Sequence, residues 1–408
     1  MNKLSRYLFI ILSAAGFWVV IFITTYTSAY AFDSDRVDLT ITRFLGALSY
    51  DYRGFKMGIT EVSIGETYDD NTTFSKEDKR EDFITKLRLG IGAKYEGKKR
   101  TFDLTGNITQ QLFARNSNFN NITQDIIFNF KNEFSKRHRL SLNNVFTHFE
   151  APSSEDEGYF SQQFGRTTGR FEYFRNRFNI QYSNDVTKQV SFAVKYANEA
   201  NKFSGTDRPN SLLNKPGFSL SYSYHPTATI FSFLYDFTIV QFEKENDATI
   251  HTIGPGIRQY ITKKLFLDVN TGVDIIDSFD DENLTEPFVR SQLTYVKDER
   301  TRAMLLFSKK YETNPYFAQI FNNWRVSASL TRRMLRRLGG NLSFFYGEGT
   351  FIATDTERRL WGANTTVKYD ISRNLIGTLT YTYSQSDSDS GAREYSKNTV
   401  FLGLAAGF

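Results

Sequence analysis

The chain of 408 residues has no cysteine, only seven prolines and only three tryptophans. Without cysteine there is no disulfide framework, thiolate metal site, cysteine nucleophile or lipid-anchored N-terminal Cys. Scarce proline beside 26 glycines excludes collagen-like and proline-rich classes. Repeated apolar runs of ~20 residues are missing and mean hydropathy is −0.43, which excludes a polytopic helical membrane protein. The formal charge of +5 comes from 50 basic and 45 acidic residues with no concentrated basic patch, so nucleic acid is not an expected partner. What the chain has in quantity is aromatics, 39 Phe and 23 Tyr, far too many for a disordered protein. High aromatic content at negative hydropathy requires that apolar and polar residues be segregated.

The N-terminus reads as an address. Lys3 and Arg6 precede an apolar run from Tyr7 to Ile23, and Ala29-Tyr30-Ala31 is a small-x-small cleavage pattern. Residues 1–31 are therefore expected to be a signal peptide cut after Ala31, the alternative being a retained anchor. Residues 32–55 are taken as a periplasmic lead-in with no assigned function, and 56–408 as one domain.

From Lys56 onward, apolar and polar residues alternate over some ten positions, a turn follows, and the pattern restarts. Trp361, Ala363, Thr365, Val367 and Tyr369 interleave with Gly362, Asn364, Thr366 and Lys368. Phe102, Leu104, Gly106 and Ile108 interleave in the same way with Asp103, Thr105, Asn107 and Thr109. A period of two is that of a strand with two unlike faces. Eighteen such segments are expected, centred from Val62 to Leu402. Tight connections such as Glu96–Lys99 and Ser135–His138 alternate with longer ones at 69–81, 151–168, 199–212, 311–321 and 385–395. Short turns at one end and long loops at the other mark an outer-membrane barrel. One face is too polar to form a soluble core, and in lipid a sheet must close on itself to pair its backbone. Tyr95, Tyr182, Tyr196, Tyr224, Tyr260, Tyr295, Tyr369 and Tyr383 lie near segment ends, as an interfacial girdle would. The expected fold is all-β: a transmembrane, antiparallel, up-and-down outer-membrane β-barrel of about 18 strands (16–18) in a Gram-negative bacterium. The last segment places Val400, Leu402, Leu404, Ala406 and the terminal Phe408 on one face. That ending is similar to the signal read by the barrel assembly machinery, here an expected partner together with outer-membrane lipid and lipopolysaccharide.

Gly54 to Asn71 carries Gly65, Tyr68, Asp69, Asp70 and Asn71, and Tyr173–Arg177 runs on to Tyr182-Ser183. These segments resemble the outer-membrane β-barrel porins associated with exopolysaccharide biosynthesis and export. The resemblance implies a barrel serving surface polysaccharide export, with polysaccharide and periplasmic export proteins as partners. It brings no catalytic residues.

Enzyme chemistry has little support in the sequence. His138, His148, His225 and His251 are scattered over turns and strands, and Ser153 and Ser154 near His148 lie in a loop. No HExxH, GxSxG, P-loop or EF-hand spacing occurs. The loop acids Asp69, Asp70, Asp280, Asp281 and Glu282 suit a solvated loop better than a calcium site. Neither cofactor nor metal is expected.

The lumen is the expected functional surface. Alternation turns Lys86, Arg88, Lys94, Lys131, Arg177, Lys195, Arg258, Arg290, Arg302, Arg325 and Lys368 inward. Glu61, Asp103, Asp125, Glu133, Asp236, Asp268 and Asp274 join them. The basic excess either focuses anions in a water-filled bore or is consumed by cross-strand pairs that brace it. Three functions follow: a polysaccharide conduit, a general or anion-selective diffusion porin, or a closed structural barrel or surface enzyme. Barrels of 16 to 18 strands generally leave an aqueous channel. No loop is long enough to be an obvious constriction; 151–168 is the longest.

Overall fold

In lipid, an up-and-down sheet of amphipathic strands satisfies its backbone only by closing. The computed structural model shows this closure. It describes residues 50–407 except 53, 151–171, 205–208, 226–228, 244–246, 279–283, 315–318, 353 and 390–393. The expected signal peptide, most of the lead-in, Ser153, Ser154, the loop 151–168, Asp280, Asp281, Glu282 and Phe408 lie outside the described residues.

A three-residue strand, β1 (Tyr50–Tyr52), precedes eighteen long ones. These are β2 (Phe55–Asp69), β3 (Asp82–Glu96), β4 (Arg100–Phe113), β5 (Asn121–Glu133), β6 (His138–Phe149), β7 (Glu172–Asp185), β8 (Val190–Ser204), β9 (Ser211–His225) and β10 (Thr229–Phe242). There follow β11 (Ala248–Thr262), β12 (Leu265–Ser278), β13 (Leu284–Asp298), β14 (Thr301–Asn314), β15 (Gln319–Arg333), β16 (Leu338–Phe351), β17 (Thr356–Asp370), β18 (Leu375–Ser388) and β19 (Tyr395–Gly407). Each pairs antiparallel with its sequence neighbours, and β19 closes on β2 from Thr399↔Asp69 to Gly407↔Glu61. Both ends of the described chain lie at the short-turn rim, the periplasmic side of an outer-membrane barrel. Several strands run further outward than the sequence pattern suggests. β14 and β15 absorb most of 311–321, and β8 extends through Ser204.

The outer wall carries the apolar series. Leu305, Leu342, Leu379 and Leu402 are exposed, as lipid-facing side chains of an isolated barrel must be. Val400 and Leu404 share that face with Leu402. The inner face is polar at mid-height, with Ser327, Ser343, Thr382 and Asn107 buried there. Toward the outer rim the inner face departs from the sequence expectation and becomes apolar. Phe149, Tyr173 and Phe203 form one inward cluster, Val240 and Phe242 another, and Phe321, Phe351, Leu360 and Tyr395 a third, which takes in Phe74 and reaches down to Phe345 opposite Ser327 at mid-height. Strand ends that project past the membrane meet water on their outer side. Their apolar residues are then buried inward, as in a soluble core.

Candidate functional site: a basic lumen with an inward hairpin

The interstrand register puts all eleven sequence-identified bases on the inner face. Lys86 lies opposite Gln111 and Arg88 opposite Thr109. Lys94 faces Asp103, and Lys131 lies between Thr101 and Ser141. Arg177 has Glu199 as a neighbour, Lys195 has Gly217, Arg258 has Asp268, and Arg290 has Asn270. Arg302 lies opposite Thr331, Arg325 opposite Ser308, and Lys368 opposite Gly339.

They fall into two groups. Some are consumed by acids of the wall. Lys195 and Lys215 share Asp236, at 2.7 and 3.2 Å. Arg258 pairs with Asp268, Lys94 with Glu96 at 2.7 Å, and Arg88 lies between Asp125 at 3.7 Å and Glu61 at 3.9 Å. Lys86 stands over the Phe401 ring at 5.9 Å. By contrast, Lys131, Arg177, Arg290, Arg302 and Lys368 have no ion pair or hydrogen bond among the described residues. Arg88, Arg177, Arg290 and Arg325 each lie eight residues from the periplasmic end of their strand, marked by Glu96, Asp185, Asp298 and Arg333. Four arginines thus share one level near mid-barrel, and Arg177 and Arg290 keep their charge free for a solute.

A hairpin narrows the bore just beyond that level. β13 and β14 pair only as far as Val289↔Lys309, whereas β14 and β15 stay paired to Asn314↔Gln319. Pro287, which has no N–H to donate, lies where the β13–β14 ladder fails. The freed half of the β14–β15 hairpin leans into the lumen. The Tyr311 N–H donates to the Asp274 carboxylate on β12 at 3.3 Å, reaching past β13. Ile320 and Tyr311 pack on Ala248, Ile250 and Ile276 of β11 and β12. Lys309 crosses the gap to Glu286 at 3.3 Å. Glu312 is held by Lys310 at 2.7 Å, Asn323 at 3.3 Å and Arg325 at 3.7 Å. The sequence pattern missed Glu312 because it ended the strand before it, and it left out Lys310 at that strand's last turn inward. It also missed Arg175, buried against Glu199 at 3.4 Å, although Arg175 lies two residues from Arg177 on the same face.

The motif after the first barrel strand acts as a clasp. Asp69 binds Lys397 at 2.7 Å, and Asp70 accepts both the backbone N–H and the side-chain amide of Asn398 at 2.7 Å. Both contacts seal the β2–β19 seam. Asn71 is fully buried; its amide donates to the Ser75 carbonyl at 2.7 Å and the Ser396 carbonyl at 3.0 Å. This turn drives Phe74 inward, edge-on to Tyr395 and beneath Lys397, whose Nζ lies 3.8 Å from the ring centroid. Gly65 lies on the same strand where a Cβ would strike the Phe401 ring, and the Tyr68 hydroxyl donates to Glu81. Around the loop, Arg115 holds the Glu81 carboxyl, and Lys76 the Glu394 carboxyl, below the usual carboxylate range. Depressed carboxyls keep these contacts at neutral pH and lose them only as pH falls through the lowered values.

Asn71→Ala removes the donor that satisfies two backbone carbonyls, at about 1–3 kcal/mol for each one left buried. The expected result is release of the loop with the barrel intact. Trypsin added to reconstituted protein should then cut at Lys76, Lys79 or Arg80, sites protected in the parent chain.

His148 faces outward, stacked on Phe174 and 2.9 Å from Glu172; Ser153 and Ser154 lie outside the described residues. Among the described residues no group of three or more His, Asp or Glu could hold a metal ion.

A family described as "Putative beta-barrel porin 2" has a model that matches residues 50–408. A comparison with curated proteins finds no match. Solved structures similar to this chain include OccK2 (OpdF) of Pseudomonas aeruginosa in complex with glucuronate, at TM-score 0.47 and 10% identity, covering 86% of this chain and 98% of that one. A BenF-like porin from Pseudomonas fluorescens Pf-5 has a TM-score of 0.47 and 12% identity, with the same coverage. OccAB3 of Acinetobacter baumannii follows at TM-score 0.45 and 10% identity, again covering 86% and 98%.

Proposed function

The chain belongs to this β-barrel porin family, an outer-membrane, porin-like channel, and from that premise we propose that it passes small anionic solutes by passive diffusion. The observation that carries this reading is the pair Arg177 and Arg290, unpaired on the inner face at mid-barrel, beside the level where the hairpin narrows the bore. Fixed unpaired charge on the wall of a narrow polar bore raises the local concentration of counter-ions and lowers their barrier to entry. The surrounding ion pairs add little field, because each base is cancelled by its acid.

Polysaccharide export is the second reading, supported by the same basic wall and by inward aromatics near the outer mouth. It demands a continuous bore for an extended chain. The hairpin and the Phe74–Phe321–Phe351 cluster occupy that space, so small solutes fit better.

Conductance in planar bilayers tests the proposal. The double variant Arg177→Ser with Arg290→Ser is expected to lower the anion-to-cation permeability ratio severalfold at 0.1 M salt. At 1 M salt, where the Debye length is ~3 Å, parent and variant should converge. An unchanged ratio at low salt would sink the anion reading. Block of parent conductance by an acidic polysaccharide added from the periplasmic side would favour export.

A further inference from the structure

The short-turn rim is strongly basic. Its described turns lie at 96–100, 133–139, 185–190, 262–265, 297–301, 332–338 and 370–375. Together they hold sixteen Lys or Arg against six Asp or Glu. That excess of ten sits in a chain whose formal net charge is only +5, so the remainder is net acidic. The densest stretch is the β15–β16 turn, Arg332-Arg333-Met334-Leu335-Arg336-Arg337. Its four arginines divide into two pairs. Arg333 donates to the Arg336 carbonyl at 2.8 Å and lies 3.4 Å from Asp370, and Arg337 donates to the Ile371 carbonyl at 3.4 Å. These two tie the turn to its neighbour. Arg332 and Arg336 form no ion pair or side-chain hydrogen bond among the described residues. The same holds for Lys297 and Arg300 in the adjoining β13–β14 turn, which the Arg333 N–H joins through the Arg300 carbonyl at 2.8 Å. At the outer end, by contrast, Arg359 pairs with Glu348 at 3.3 Å and Arg115 with Glu81.

The free arginines stand among apolar side chains. Arg332 shares the outward face with the exposed Leu330 and lies opposite Gly340. Gly340 has no side chain to fill its place, and the Met334 methyl lies over it, 3.1 Å from where a Cβ would be. Leu335 is 67% exposed, more than any other large hydrophobic among the described residues. In water that is an unmet apolar group; against lipid it is not. One row further from the rim, Tyr295, Ala303, Leu330 and Leu342 lie side by side on the lipid face. Two residues along a strand tilted ~40° give about 5 Å of depth, the step from a lipid phosphate to the start of its acyl chains.

We propose that the β15–β16 turn binds an anionic phospholipid of the periplasmic leaflet. Arg332 and Arg336 offer their guanidinium groups to the phosphodiester, and Lys297 and Arg300 add positive field. Met334, Leu335 and Leu330 lie along the acyl chains. The outward wall of a barrel in a bilayer is covered by lipid whatever else binds, so the rim decides only which headgroup stands there. Clustered bases at a bilayer surface draw anionic lipid, and a guanidinium fork matches phosphate oxygens. Lipopolysaccharide belongs to the opposite leaflet. An acidic periplasmic protein would approach from the end of the barrel, whereas Arg332 lies on the lipid face beside Leu330.

No native cysteine competes with a dye placed at one point of the wall. Leu342→Cys carries bimane beside the site, and Leu142→Cys carries it at the same height on the opposite wall, each four residues from the rim end of its strand. The full barrel is reconstituted in vesicles of phosphatidylethanolamine and phosphatidylglycerol. Quenching by brominated chains on one lipid or the other reads the relative occupancy at each dye. Phosphatidylglycerol is expected to be favoured severalfold at Leu342. Arg332→Gln with Arg336→Gln should bring that ratio close to one, and Arg332→Lys with Arg336→Lys should keep most of it. Heat-modifiable migration checks that each variant folds. The ratio at Leu142 should respond to neither change. No preference at Leu342 in the parent sequence, or a preference that survives the glutamine pair, would overturn the proposal. An equal fall at Leu142 would also overturn it, by showing only an effect of overall charge. So would displacement of the lipid by free glycerol phosphate, which marks a site for a soluble anion.

Discussion

Cutting the inward hairpin back to the lumen wall should raise single-channel conductance severalfold. The variant removes 311–322 and joins Lys310 to Asn323, which are direct partners, through Asn-Gly, a pair suited to a two-residue hairpin turn. Conductance depends most steeply on the narrowest section, and a barrel of this strand number is otherwise wide enough for water. The same cut deletes Glu312, the acid that neutralises Lys310 and Arg325, so anion preference should rise together with conductance. A mere cavity filler would change conductance without changing selectivity. Planar-bilayer recording reads both quantities, and unchanged conductance would show that the bore is narrowest elsewhere. In the parent chain the hairpin should stay docked. Burial of an Ile side chain gives about 1.5–3 kcal/mol, and the bond from Tyr311 N–H to a carboxylate adds about 1.5–3 kcal/mol.

Folding itself should fail when Gly254 or Gly272 acquires a side chain. These glycines face each other between the pairs Ile253↔Val273 and Gly256↔Asn270. A Cβ on Gly254 would collide with the Thr271 carbonyl oxygen and lie 2.7 Å from Gly272 Cα. One on Gly272 would collide with the Ile253 carbonyl oxygen and lie 2.7 Å from the Phe288 ring. Backbone atoms cannot rotate away as a side chain does, so both strands must separate, at a cost on the order of 3 kcal/mol or more. This close approach lies one inward step below Asp274 and two below Ile250, where the hairpin lands, so the strain falls on wall and constriction together. Gly254→Ala and Gly272→Ala are expected to lose most of the heat-modifiable folded band. Gly106→Ala is the control, because nothing lies within 4 Å of its added Cβ. Normal folding of both glycine variants would mean that the two strands are not pressed together as described.

Much of this architecture was readable without coordinates, and particular residues show why. Trp361 to Tyr369 alternate in sequence because they alternate between lipid and lumen in space. The expected centres, from Val62 to Leu402, all fall within strands. The pattern lost its grip where the environment changes. Above the membrane the outer face becomes wet, so Phe321, Phe351 and Tyr395 point inward, whereas most aromatic residues at mid-barrel point out, Phe345 and Phe401 excepted. Glu312 looked like a loop residue because a strand that leaves the membrane has no lipid face to mark it. The Asp69-Asp70-Asn71 motif was visible as a resemblance, but its partners Lys397, Asn398 and Ser396 come from the far end of the chain.

The sequence by itself determined that the chain forms a closed barrel, its approximate strand number, and which residues share the inner face. Those properties follow from a two-residue period and from the demand of hydrocarbon that every backbone group be paired, and they are written strand by strand. Only the tertiary structure decided which inner bases remain free, where the wall folds inward, and which arginines of the periplasmic rim stay unpaired. Each depends on side chains from different strands meeting at one level, as Arg88 meets Asp125 and Tyr311 meets Asp274, and no local pattern encodes such a meeting.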